Sequence, residues 1–230
     1  MTSDLNPSDM ARETGQAPQI VASLLSQARP KIAEIGRLIG ATNPPLIVTC
    51  ARGSSDHAAG HFKYCTEILA GVPVASVGPS VASLYRAPLR LRDGVLLAIS
   101  QSGMSPDIVA LAKAAKSGGA RVIAIVNDEA SDLAEISDIC LPIGAGTETS
   151  VAATKTFIAS TVAAQVQDQV LRAGLFEGRE VRVQLGGKVG PAIALITKGA
   201  DVEPGCALTL SGERHVGPGR RARTPSGVRS

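Results

Sequence analysis

The sequence predicts a doubly wound α/β sandwich on a five-stranded parallel sheet. Three observations predict it. Five short segments, 46–50, 73–77, 94–100, 121–126 and 139–143, are apolar along most of their length. Strands that lack a polar face are buried on both sides, which is the habit of parallel sheets. Segments with helical spacing separate them, as crossover connections require. The loops after three of the five carry glycine and hydroxyl residues, where ligands of such sheets sit.

The elements follow in order. Residues 1–16 are polar and are expected to be loose. Val21, Leu24, Leu25, Ala28, Ile32, Ile35 and Ile39 then recur at steps of three and four, the mark of one helical face. Pro30 interrupts this helix and is expected to kink it. Gly40 and Asn43-Pro44-Pro45 end it. After the first strand, residues 56–70 read as a helix stopped by Gly71. A brief helix at 80–85 separates the second strand from the third. Residues 105–116 form the next helix, with Gly118-Gly119 beyond it, and 132–136 a turn or two before the fifth strand. The last helix spans 151–173, with Ile158, Val162, Val166 and Val170 on its apolar face.

Composition narrows the function. A chain of 230 residues has room for one large domain, or one domain and an appendage. Its hydrophobic fraction of 44% and mean hydropathy of +0.17 exclude a wholly disordered chain. Aromatics are only 2%, which argues against the stacking platforms that hold single-stranded nucleic acid. No apolar run is long enough to cross a bilayer, and no basic-then-apolar secretory leader opens the sequence. The expectation is a soluble cytoplasmic protein with neither nucleic acid nor membrane as partner. The net charge of +3 is uneven: residues 205–230 carry +4 and the remainder −1. The basic balance therefore belongs to the tail. Cys50, Cys65, Cys140 and Cys206 form no CxxC pair. They read as small buried apolar residues in a reducing compartment, and no metal or cofactor is expected.

Three loops carry the chemistry. The first, Ala51-Arg52-Gly53-Ser54-Ser55-Asp56, puts a glycine and two hydroxyls at the positive end of a helix, which is an anion site or a helix cap. The second, Ser100-Gln101-Ser102-Gly103-Met104-Ser105-Pro106-Asp107, has more hydroxyls than capping needs. Pro106 and Asp107 suit a first turn, and Ser105 a cap. It contains neither lysine nor arginine, so a phosphate here would be held by neutral donors. The third runs from Gly146 to Lys155. In it Glu148 is an acid, a base, a hydroxyl anchor or a partner of the helix end. Lys155 meets an anion or solvent. Together they make a phosphorylated, hydroxyl-bearing small molecule the leading ligand.

The strings ARGSSDHA, SQSGMSPD and AGTETSVAATKTF, in this order, resemble the sugar isomerase (SIS) domain family. The resemblance covers about residues 10–175. It is closest to the isomerase half of glutamine–fructose-6-phosphate aminotransferase and to glucosamine-6-phosphate deaminases. It implies a flavodoxin-like strand order. It also implies that Ser100, Gln101, Ser102 and Ser105 grip a sugar phosphate, that Ser54 and Ser55 contact it, and that the Val151 backbone meets the sugar. Glu148 matches the third motif as a candidate catalytic group.

The resemblance sets further expectations. Residues 17–175 are expected to be the SIS domain. Residue 2 is threonine, so no glutaminase nucleophile is expected. Residues 176–230 are expected to be a linker and the truncated or frame-shifted start of a second SIS domain, ending in a disordered basic tail. The second domain of relatives supplies their catalytic carboxylate and lysine, and a neighbouring subunit a histidine. His57 and His61 are assigned no catalytic role. The expected function is phosphosugar binding with aldose–ketose isomerisation or deamination of amino sugar 6-phosphates or fructose 6-phosphate. The alternative is a non-catalytic binding module or an inactive remnant. A lone SIS domain exposes apolar surface, so a homodimer is expected.

Overall fold

A computed structural model describes residues 8–175, with the side chains of 8–166. The expectations for 176–230, the second-domain start and the basic tail among them, lie outside these residues.

The first element among the described residues is α1 (Asp9–Gln27), which starts earlier than polarity suggested. Residues 9–16, expected to be loose, are helical. Ser8 caps the helix, its Oγ accepting from the Ala11 N–H at 3.2 Å. Pro18 lies inside α1, where proline costs roughly 3 kcal/mol. Burial of Ala17, Leu24 and Leu25 offsets that cost. The expected kink at Pro30 is instead a break at Ala28. α2 (Arg29–Thr42) starts anew, with Pro30 in its first turn, where the missing N–H has no intrahelical partner to lose. Asn43, at φ 42, ends α2 in the left-handed conformation.

The alternating region matches the expectation closely: β1 (Ile47–Ala51), α3 (Ser54–Leu69), β2 (Val74–Ser76), α4 (Ser80–Ser83), β3 (Val95–Ser100), α5 (Pro106–Ser117), β4 (Arg121–Val126), α6 (Asp132–Ile136), β5 (Ile139–Pro142) and α7 (Lys155–Leu175). All strand pairs are parallel, in the order β2-β1-β3-β4-β5. This is the flavodoxin-like order.

Two cores follow from the period-two alternation of the strands. Ile47, Val95, Leu97, Ile99, Ile123 and Ile125 point to one face, against α1, α2, α3 and α7. Val48, Cys50, Leu96, Ala98, Val122 and Ala124 point to the other, against α5 and α6. Each large side chain fully buried this way contributes roughly 1.5–3 kcal/mol.

The strand order decides where a ligand can enter. β1 hands the chain to α3 on one face, and β3 hands it to α5 on the other. The two loops part at the carboxyl edge and leave a crevice between β1 and β3.

Candidate functional site

That crevice is a cleft of about 530 Å³. The β1–α3 loop supplies Arg52, Gly53, Ser54 and Ser55. The β3–α5 loop supplies Ser100, Gln101, Ser102 and Ser105. The segment before α7 supplies Glu148 and residues 150–153. The structure thus brings all the sequence-predicted site residues to one place.

The first wall turns on Gly53. Its φ of 58° with ψ of −136° is a conformation essentially confined to glycine. It aims the start of α3 into the cleft. Its N-cap position contributes no side-chain cap, so the amide end of the helix faces the crevice. Arg52, also in the lining, pairs with Asp107, Nη1 to Oδ2 at 2.7 Å. The pair joins the first wall to the first turn of α5. Being largely exposed on the arginine side, it contributes about 0–1 kcal/mol.

The second wall is folded by its own serines. Ser100 Oγ accepts from the Gly103 N–H at 3.1 Å, and Ser102 Oγ accepts from the Met104 N–H at 3.2 Å. Ser105 occupies the N-cap position of α5, yet its hydroxyl makes no cap bond. Each hydroxyl retains its proton for an incoming acceptor.

The third wall is built differently. Glu148 accepts from the Thr154 N–H at 2.7 Å, from Thr154 Oγ1 at 2.9 Å, and from Thr156 Oγ1. Burial works to raise its pKa, but the hydrogen bonds from Thr156 and Thr154 outweigh it and the carboxyl is held below its usual range. An ionised carboxylate therefore covers the positive end of α7. Lys155 meets neither an anion nor solvent. It is buried, with Nζ donating to Thr147 O at 2.6 Å and to Gln16 Oε1 at 2.9 Å.

Along residues 42–166 the chain matches the SIS domain signature. It belongs to the SIS domain family. The SIS chain is 32% identical over 186 residues to the isomerizing glutamine–fructose-6-phosphate aminotransferase of Gluconobacter oxydans, which covers 79% of this chain and 30% of that one. The corresponding enzyme of Thermotoga maritima is 39% identical over 113 residues, 49% of this chain and 18% of that one. Among solved structures, a candidate phosphosugar isomerase from Silicibacter pomeroyi superposes with a TM-score of 0.67 and 45% identity, over 73% of this chain and 50% of that one. The C-terminal domain of glucosamine–fructose-6-phosphate aminotransferase from Francisella tularensis shares the fold, with a TM-score of 0.63 and 24% identity, over 76% of this chain and 50% of that one. The SIS chain therefore spans 30% or less of these full-length aminotransferases and half of the two solved chains.

Two residues that hold the SIS cleft together escaped the sequence reading. Asn127, one residue past β4, stitches the second and third loops. Its N–H donates to Gln101 O at 3.1 Å, its Nδ2 to Gly146 O at 2.8 Å, and its Oδ1 accepts from the Ala145 N–H at 2.8 Å. A polar residue at the carboxyl end of an apolar strand is the signal that marks it. The other is Glu13 of α1. Its carboxylate accepts from the Thr149 N–H at 2.7 Å, Thr149 Oγ1 at 3.0 Å, the Ser150 N–H at 3.1 Å and Ser150 Oγ. The Ser150 hydroxyl, then the Thr149 amide, hold its pKa at about 2. No local pattern announces a partner 136 residues away.

Proposed function

We propose that this chain is a phosphosugar-binding SIS unit of amino sugar metabolism, acting on an amino sugar 6-phosphate or fructose 6-phosphate. One observation carries the reading. The cleft at the β1–β3 crossing is lined by serine hydroxyls and two uncapped helix ends, while Arg52, the one cation among the described lining residues, is tied to Asp107. Helix ends and neutral donors suit a phosphate attached to a polyol. Ser54, Ser55, Ser100, Gln101, Ser102 and Ser105 would hold the phosphate, and the backbone at Val151 the sugar.

Isomerisation or deamination is the reaction class proposed for the full assembly. Ring opening and proton transfer need a general acid or base near neutrality. Among the described residues that line the cleft, the one carboxylate, Glu148, already accepts three hydrogen bonds and is held ionised. That favours a role as anchor over one as proton carrier. Turnover then depends on groups beyond residues 8–175, and a binding module without turnover is the second reading.

Calorimetric and thermal titration with glucosamine 6-phosphate, fructose 6-phosphate and unphosphorylated glucosamine tests this. Saturation with a phosphosugar at a hundred times its Kd is expected to add about 2.7 kcal/mol of stability. Glucosamine alone is expected to add nothing. Ser102→Ala is expected to weaken phosphosugar binding by about 1–3 kcal/mol. Equal shifts with glucosamine, or an unchanged affinity in Ser102→Ala, would remove the phosphate assignment.

We also propose that the unit pairs. Tyr64 and Ile68 stand one turn apart on α3, both largely exposed. A homodimer that covers them is expected, and Tyr64→Lys with Ile68→Lys should shift sedimentation toward the monomer. A monomeric wild type would end that proposal.

A further inference from the structure

The third wall stands between two carboxylates. Glu148 lies in the cleft lining, in the segment before α7, and Glu13 lies behind residues 149 and 150. Both are ionised and fully engaged with the backbone and hydroxyls of this wall. A phosphate dianion placed here would face like charge at short range. The hydroxyls and uncapped helix ends of the other two walls offer it opposite or neutral surroundings. The geometry sorts the ligand: its anionic end belongs to the first two walls, its uncharged end to the third.

Among the described residues, no strand pairs with 149–153, and α7 begins only at Lys155. What fixes them is α1. Glu13 binds both the amide and the hydroxyl of Thr149 and of Ser150, and Gln16, one turn on, accepts from Lys155. Glu13 itself is only 3% exposed. Val151, immediately after the clasped pair, is fully exposed at the cleft rim. A large apolar side chain is held there by its neighbours' attachment and not by its own burial.

We propose that Glu13 is a positioning residue of the cleft, clasping residues 149 and 150 so that the wall through Val151 holds the uncharged part of the ligand. The proposal rests on the phosphosugar reading for its ligand, but the clasp itself does not. Glu13 touches no ligand. It acts through Thr149 and Ser150, which lead directly into Val151 of the wall.

Two measurements test it on the full chain. Calorimetry compares glucosamine 6-phosphate with inorganic phosphate as probes, in wild type, Glu13→Gln and Thr149→Val. Glu13→Gln is expected to weaken the phosphosugar by about ten- to a hundredfold, the size set by losing hydrogen bonds to a charged group, and to leave inorganic phosphate within about twofold. A general loosening of the fold would weaken both alike. The Glu13→Gln, Thr149→Val double variant is expected to lose less than the two single losses together, because one clasp is broken twice. Equal weakening of both probes, no weakening of either, or full additivity overturns the proposal.

The second measurement needs no ligand. Amide hydrogen exchange at residues 147–153 is expected to accelerate in Glu13→Gln, while the β3 and β4 amides keep their protection. Unchanged exchange in that segment overturns the clasp. If the wild type binds neither probe, the phosphosugar reading fails, and the exchange result still decides whether Glu13 positions the wall.

Discussion

Gly103→Ala is expected to destabilise the fold by roughly 2–5 kcal/mol. Two costs combine. Gly103 sits at φ +64, where an alanine pays about 1–2 kcal/mol for its left-handed backbone. Its new Cβ would also overlap the Ser131 side chain and meet Val126 Cγ1 at 3.3 Å. Overpacking of this kind costs about 1–3 kcal/mol. Ser131 cannot step aside. It is 1% exposed, its Oγ donates to Asp128 O at 2.6 Å, and it occupies the N-cap position of α6. The loop cannot step aside either, since Gly103 O accepts from the Leu133 N–H at 3.1 Å. Thermal denaturation reads the effect at about 2–4 °C per kcal/mol for a chain of this size. Ser131→Gly in the same chain should return the overlap part and leave the backbone part. Phosphosugar affinity should fall in Gly103→Ala and partly recover in the double variant, because the serines of the second wall flank the strained position. A Tm within a degree of wild type would show that the loop is not held against α6 as described.

Glu148→Leu is expected to lower stability by about 3 kcal/mol, near the loss for several charge-assisted hydrogen bonds with their donors left behind. The Thr154 amide and the hydroxyls of Thr154 and Thr156 would all lose their acceptor. The positive end of α7 would lose its counter-charge as well. Acid should imitate the substitution. The folded carboxyl titrates below its ordinary value of 4.5. Its contribution is therefore complete above that value and is lost as the pH falls through the depressed folded pKa. Glu13 has the same sign, with its loss extending down to about pH 2. Urea melts at stepped pH should show stability declining below about pH 4.5 in the wild type. Glu148→Leu should decline less steeply. Parallel declines in the two proteins would show that Glu148 is not held ionised by these bonds.

The sheet was legible because its evidence is local. Residues 95–99 and 122–126 are apolar throughout, and strands β3 and β4 fall where those runs do. The hydroxyl-rich loops after Cys50 and Ser100 were legible for a related reason. Hydroxyls beyond the needs of capping point to a ligand, and all of them line one cleft. What failed to show was the part that depends on distant partners. Polarity made residues 9–16 look loose, yet Glu13 and Gln16 are polar because they face the third wall. Lys155 looked like a cation for an anion or for water. Its carbonyl and carboxamide partners lie at Thr147 and Gln16, and the second of these is 139 residues away. Pro30 was read correctly as a disturbance, but proline opens a helix as readily as it bends one.

The span of the Glu13 clasp has a consequence in time. The two ends of these hydrogen bonds lie 136 and 137 residues apart in the chain. At about 5–20 residues per second, a ribosome needs roughly 7–27 s to make the second end after the first. For that interval α1 exists without its partner, while strands β1 to β5 are being made in order. Contacts of such long range are also the slowest to be rewarded once the chain is complete, because a large loop must close first. Helix α1, made before the sheet, is thus the element whose docking completes the cleft last. The sheet can be folded while the site is still open, and a chain that has lost its first fifteen residues would keep the one and lack the other.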